Sequence, residues 1–443
     1  MPNRAALAAA DATVAEVLNA TLWCQEPAVL VTSPPGAGKT GTVERVAAVG
    51  LLELDLRVMV AVQTNAQVVD LVARLARNFP AVPVWHFHRW NLPEVPAPLR
   101  GLPNVRSTER TRDLPAGPCV VVATSSKWAE TDGVHFDLMV VDEAYQLREA
   151  LYIQFSGLAD RVLFIGDPGQ LDPFTQAAIE RWRADPAGPH RSCVAAFIAR
   201  RGRPRSFSFP VSRRLDQGSV ALVQPAFYPA LPFEAAALPG ERQLRLPVAG
   251  IGPVDRAVTA LGAGPWSYLE LPEAHAGMVD DDVVAAIAGC VHALLDRGAE
   301  VRDEYGTRRL APDRIAVGCA HTAQTTAVRR RLRRAASQVT VETANRLQGQ
   351  EFDVTIVYHP LAGRTDATAF HLDAGRLCVL LSRHRIGCLI VGRAGVADLL
   401  AVHAPAAERT LGLDDDPEYD GWQAHLAVLD RLGGAAAIRT VRR

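Results

Sequence analysis

AVLVTSPPGAGKTGTVERVAAVGLLE, residues 28–53, sets a short apolar segment, a glycine-bearing loop and an amphipathic run end to end. The first segment is too short for a helix and carries no charge, so it predicts a strand buried on both faces of a parallel sheet. The run after Lys39 predicts a helix. Strand, loop and helix in that order offer backbone N–H groups and a helix N-terminus to an anion, which makes Pro35, Gly36, Ala37, Gly38, Lys39, Thr40 and Gly41 a candidate phosphate loop. Lys39 would reach the terminal phosphates and Thr40 would ligate Mg²⁺. Ser33 occupies the place where the pattern G-x-x-x-x-G-K-[ST] begins with glycine. That place supplies neither the cation nor the metal ligand, so the substitution is expected to be tolerated.

Composition sharpens this reading. Of 47 Lys and Arg residues only two are lysine, Lys39 and Lys127. A chain that uses arginine almost everywhere has kept lysine where a compact ammonium, not a planar fork, suits a phosphate.

The same kind of segment recurs at 58–62, 119–124, 138–142 and 161–166, and again at 314–320, 354–359 and 388–392. Two groups of buried strands with helix-like stretches between them predict an α/β fold with two domains, 1–205 and 206–404, each a mostly parallel sheet with helices on both faces. Residues 405–443 read as a C-terminal tail with a helix. The length of 443 residues suits two domains of about 200 residues.

LMVVDEAYQ, residues 138–146, ends a buried strand in two acids. Asp142 is placed to hold Mg²⁺ and Glu143 to polarise an attacking water. The next strand, RVLFIGDPGQL, delivers Gln170, whose amide could sense a γ-phosphate. ATP and Mg²⁺ are the implied cofactors.

Other features are bland. Seven scattered cysteines with no C-x-x-C spacing exclude a disulfide framework and a zinc site and suit a reducing, cytoplasmic setting. A net charge of −1 excludes a strong global pull toward polyanions, and RRGRPR (200–205) and RRRLRR (329–334) read as solvated faces. No apolar run approaches the roughly 18 residues of a membrane span. In WHFHRW (85–90), Trp85, Phe87 and Trp90 could stack bases, but a packed strand edge is favoured; His86 and His88 lack partners for a metal.

Taken in order, SPPGAGKT, VVDEAYQL, IGDPGQLDP, VETANRLQGQEFD (341–353) and RLCVLLSRHRIGCLIVG (376–392) resemble the motor core of superfamily 1 helicases. The form of the last two motifs is similar to the B branch, which holds the RNA helicase of nonsense-mediated decay and its DNA-acting relatives. The resemblance covers nearly the whole chain and implies two tandem RecA-like P-loop domains. It implies that Thr64 and Asn65, then Thr124, Ser125 and Lys127, then Gln324 and Thr343 face a nucleic-acid strand. It also puts Arg213 and Arg383 on the two arginines that reach the γ-phosphate from the second domain, and Glu351 on the motif linking strand to nucleotide. The expected activity is an ATP-dependent, single-strand-stimulated helicase or translocase moving 5′→3′, acting as a monomer on single-stranded nucleic acid or a tailed duplex. An ATP-regulated clamp without processive unwinding is the alternative, since no accessory wedge is found.

Overall fold

The computed structural model describes residues 3–89, 95–173, 175, 179–182, 184–248, 250–405, 416–433 and 437–440. The first half is built on eight strands: β1 (Ala28–Thr32), β2 (Arg57–Val62), β3 (Val84–Phe87), β4 (Val105–Thr108), β5 (Cys119–Thr124), β6 (Phe136–Asp142), β7 (Ala159–Gly166) and β8 (Arg205–Ser208). They lie in the order β4-β3-β5-β2-β6-β7-β1-β8, every neighbouring pair parallel. Uninterrupted apolar strands are required here because both faces are covered. Val29 and Val31 enter one core with Val58, Val60, Val120 and Val122, whereas Leu30 enters the opposite one with Met59, Val121 and Phe164.

The second half opens with a two-stranded parallel ribbon, β9 (Val211–Asp216) and β10 (Glu234–Ala237). β11 (Gln243–Arg245), β13 (Glu300–Asp303) and β14 (Gly306–Arg309) make a small antiparallel sheet beside the main one. The main sheet runs through β12 (Trp266–Leu271), β15 (Ile315–Cys319), β16 (Thr340–Thr343), β17 (Phe352–Tyr358), β18 (His384–Arg393) and β19 (Ile438–Arg439) in the order β16-β15-β17-β18-β12-β19, again all parallel. Cores lie on both of its faces. The fold is therefore two RecA-like α/β units in tandem, as the strand pattern predicts.

Three expectations are corrected. The first unit does not end at residue 205, because β8 completes its sheet against β1 and Phe209 is buried in its core. The described part of residues 405–443 is not a separate tail. Helix Pro417–Leu432 packs Ala424, Val428 and Leu432 into a core of the second unit, and β19 pairs with β12. Finally, among the described residues one helical stretch, Arg4–Trp23, is long and apolar enough to cross a membrane by length and composition. Here Val17, Ala20 and Leu22 from it are sealed in the first core, while Ala6 and Ala10 pack on Val211 and Ala236 of the second unit.

WHFHRW behaves as a packed edge. His86 and Phe87 are buried, Trp85 leans on the core, and His86 Nδ1 lies 2.9 Å from Ser107 Oγ. Trp90 falls outside the described residues.

Candidate active site

The phosphate loop leaves β1 and enters helix Lys39–Leu54 through Gly36 and Gly38, at φ +71° and +97°. Both adopt backbone that side chains resist. Gly36 is doubly constrained, since a Cβ there would stand 2.2 Å from Arg214 Cβ. Ser33 is outside the left-handed region, fully buried, with its N–H bonded to the Gly166 carbonyl at 2.9 Å. The turn therefore makes no demand for glycine at that residue, which explains why the loop forms without it.

Lys39 Nζ donates to both carboxylate oxygens of Glu143, at 2.9 and 2.8 Å. Burial alone would lower the ammonium's pKa, but the carboxylates of Glu143, Asp167 and Asp142 outweigh it and hold it above its usual value. Glu143 follows β6 in the left-handed region at φ +53°. That sparsely populated backbone bends the chain back over the loop, and strain of this kind concentrates at functional sites. Asp142 accepts from the Glu143 N–H at 2.9 Å. Burial and the adjacent Glu143 charge push the Asp142 carboxyl up to about 7. Three acids thus surround one lysine. The donor set fits a divalent cation: Asp142, crowded by like charge, and Thr40 one residue beyond the lysine would hold Mg²⁺ together with nucleotide phosphates.

Asp167 is a member of this cluster that the sequence reading missed. It ends β7 as Asp142 ends β6, so a carboxylate closing a buried strand was the available signal. It accepts from the Gly169 N–H at 3.1 Å and from the Gln170 amide, and burial raises its pKa. Gln170 is brought to the site through this bond.

The second unit approaches from the opposite side. β9 lies on the loop: Ser212 Oγ donates to the Pro35 carbonyl at 2.6 Å and the Arg213 N–H to the Gly36 carbonyl at 2.9 Å. The arginine expectation shifts here by one residue. Arg213 points outward, 49% exposed on its side chain, and pairs with Asp11. Arg214, on the other face of the strand, turns inward; it donates to Glu351 at 3.0 Å and to the Ser382 carbonyl at 3.2 Å. Successive strand residues face opposite ways, so two adjacent arginines leave the choice open until the register is known. Arg383 is 1% exposed, with Nη2 on Ser382 Oγ at 2.7 Å and Nε without a partner. Burial, then the Arg214 charge, brings its pKa down to about 10. Arg214, paired with Glu351, and the buried Arg383 thus stand across the seam from a lysine ringed by three acids.

The residues expected to face a strand divide. Thr64 and Asn65 stand exposed at the start of helix Asn65–Asn78, where Thr64 caps through the Gln67 N–H. Thr343 is half-buried as the cap before Ala344–Leu347. Ser125 is buried and donates to the Val62 carbonyl; Thr124 is buried and caps Ser125–Trp128. Lys127 donates to the Glu109 carbonyl at 2.9 Å and lies over the Phe87 ring. Gln324 is 3% exposed, accepts from Ala320 and His321 and donates to Met278. For Ser125 and Gln324 the polar atoms are engaged inside the protein, because a cap or loop at that depth must satisfy backbone groups first.

Fold and site together define a tandem RecA-like α/β protein whose candidate phosphate loop lies against two arginines of the second unit. A family model described as AAA domain matches residues 273–395. No curated protein matches. Among solved structures, the helicase of PRRSV is 14% identical, covering 86% of this chain and 54% of its own, at TM-score 0.41. The arterivirus nonstructural protein 10 helicase gives 15%, 82% and 59% at 0.42, and its complex with DNA 14%, 84% and 63% at 0.43. This chain spans between about half and two thirds of those proteins, and likeness of this degree carries no functional argument.

Proposed function

We propose that this chain is an ATP hydrolase of the superfamily 1 helicase type, stimulated by single-stranded nucleic acid and moving 5′→3′ along it as a cytoplasmic monomer. One observation carries the hydrolase reading: Lys39, Asp142 and Glu143 cluster on the first unit while Arg214 and Arg383 converge from the second. Phosphoryl transfer needs little from a protein beyond positioning and charge neutralisation, and a cleft with cations on both walls supplies both when closed. Bound Mg²⁺ would neutralise phosphate charge between the two walls. Lys39 exchanges Glu143 for phosphate, which frees the Glu143 carboxylate to orient water. Arg214 and Arg383 act only with the units together, so hydrolysis is tied to closure. The exposed pair Thr64 and Asn65 and the half-buried Thr343 are the side chains left to touch a strand. The sequence motifs support the helicase class and the branch supports the direction.

The clamp reading is favoured by the internal placement of Ser125 and Gln324, and by the bond that holds Lys127 to the Glu109 carbonyl, which leave fewer side chains to grip a strand. Measuring ATP hydrolysis with and without single-stranded DNA and RNA, on wild type and Glu143→Gln, together with displacement of a tailed duplex, separates the two. Stimulation and displacement lost in the variant establish the motor; ATP-dependent affinity without displacement establishes the clamp.

A further inference from the structure

The loop 167–170 is seated on the second unit at three points. Tyr228, which ends helix Gln217–Phe227, donates its hydroxyl to Asp167 Oδ1 at 2.7 Å. Gln348 Nε2 donates to Gln170 Oε1 at 3.2 Å. Gly375 comes so close that a Cβ would stand 2.7 Å from the Gln170 carbonyl, and one on Gly169 would stand 2.5 Å from the Tyr228 ring. Tyr228 and Asp167 are 2% and 1% exposed.

Packing requires the ring, which meets Phe233 edge-on at 5.5 Å, but not the hydroxyl. A phenylalanine would fill the same space. The hydroxyl, which also lies 3.3 Å from Cys378 Sγ, donates at the shorter 2.7 Å to a buried carboxylate whose remaining hydrogen bonds come from Gly169 and Gln170 of its own loop. Lys39 lends Asp167 its charge without a hydrogen bond. Once Lys39 turns to phosphate, that support weakens, and the Tyr228 hydroxyl becomes the donor from across the seam that keeps Asp167 in place.

We infer that Tyr228 is a positioning residue through which the second unit sets the phosphate site: its hydroxyl fixes Asp167, and through Asp167 the Gln170 amide, when the units close. The inference rests on the ATP-hydrolase reading above. When the units open, Tyr228 withdraws, Asp167 loses a donor and the Gln170 amide is released. Turnover then follows closure, whereas nucleotide binding does not.

The test is Tyr228→Phe, which keeps the ring. ATP turnover is measured with and without single-stranded DNA and RNA, and hydrogen exchange of the 167–171 amides is measured with and without Mg²⁺ and a non-hydrolysable ATP analogue. The expected result is a stimulated kcat down about tenfold, the loss typical of one hydrogen bond to a charged group, with KM for ATP within about twofold and faster exchange in the analogue complex. Stimulation and protection equal to wild type would overturn the inference and leave Tyr228 as packing alone. If wild type shows no stimulation, the helicase reading falls, and exchange still decides: a protection difference between the two proteins upholds the seam, and identical protection removes it.

Discussion

Asp142 ties the chemistry of one carboxyl to the whole site. Its folded pKa of about 7 lies above the unfolded value of 3.8, so between these pH values the unfolded chain releases the proton first and stability falls as pH rises. Asp142→Asn keeps the acceptor for the Glu143 N–H and removes that loss. At pH 8 the variant is expected to melt at a higher temperature than wild type by calorimetry, while losing Mg²⁺-dependent hydrolysis; a lower melting temperature would refute the strained carboxylate. In wild type the metal must displace the proton, so apparent Mg²⁺–nucleotide affinity should fall up to about tenfold per pH unit below 7 and level off above it. Titration at pH 6, 7 and 8 checks the slope. The arginine pair offers a second test. Arg214→Ala is expected to cut kcat by about 100-fold, whereas Arg213→Ala, which loses a surface pair with Asp11, should stay within about threefold. Equal losses would mean that the strand register does not select between them.

Elements were legible in the sequence to the degree that both faces of a strand are buried. The runs at 28–32, 119–124 and 138–142 announce themselves because no polar residue interrupts them. β3, β4, β8 and β16 do not: they have four residues each, lie at or near sheet edges, and carry polar residues within the run. β19 has two residues and gives no pattern at all. Lys39, Asp142 and Glu143 were legible because they follow such runs directly, whereas Arg214 and Tyr228 depend on contacts between units that no local spacing encodes. Helix Pro417–Leu432 shows what a tail reading misses. Gly421 sits against the Leu372 carbonyl, where a Cβ would stand 1.6 Å from the oxygen. Gly421→Ala therefore forces the helix off the second unit, at a cost of about 1–3 kcal/mol or more. Urea unfolding monitored at Trp422 should show the loss, and an unchanged midpoint would mean the helix is not seated there.

At the scale of the whole molecule, the units meet through the candidate phosphate loop, loop 167–170 and the helix Arg4–Trp23, which enters the first core and also packs on Val211 and Ala236 of the second unit. On the proposed reading, nucleotide held between the units would touch both, so its binding energy would be shared. A Mg²⁺–ATP analogue at about 100 times its Kd is expected to add about 2.7 kcal/mol to the folded state. In Arg383→Ala the second unit should gain less of it, seen as a smaller shift of the second unit's melting than in wild type. A transition shifted as in wild type would place the nucleotide on the first unit alone.

The two lysines have a use outside mechanism. Lys39 sits ion-paired in the phosphate loop and Lys127 lies pinned over Phe87, far along the first sheet. Reductive ¹³C-methylation of the native chain would therefore label Lys127 as an internal reference, whereas Lys39, buried, ion-paired and held protonated, is expected to react only as its pair with Glu143 opens. Few proteins of 443 residues can be labelled so sparsely without substitution. The rate of labelling at Lys39 relative to Lys127 would report how often the Lys39–Glu143 pair opens, in a tube of unmodified sequence.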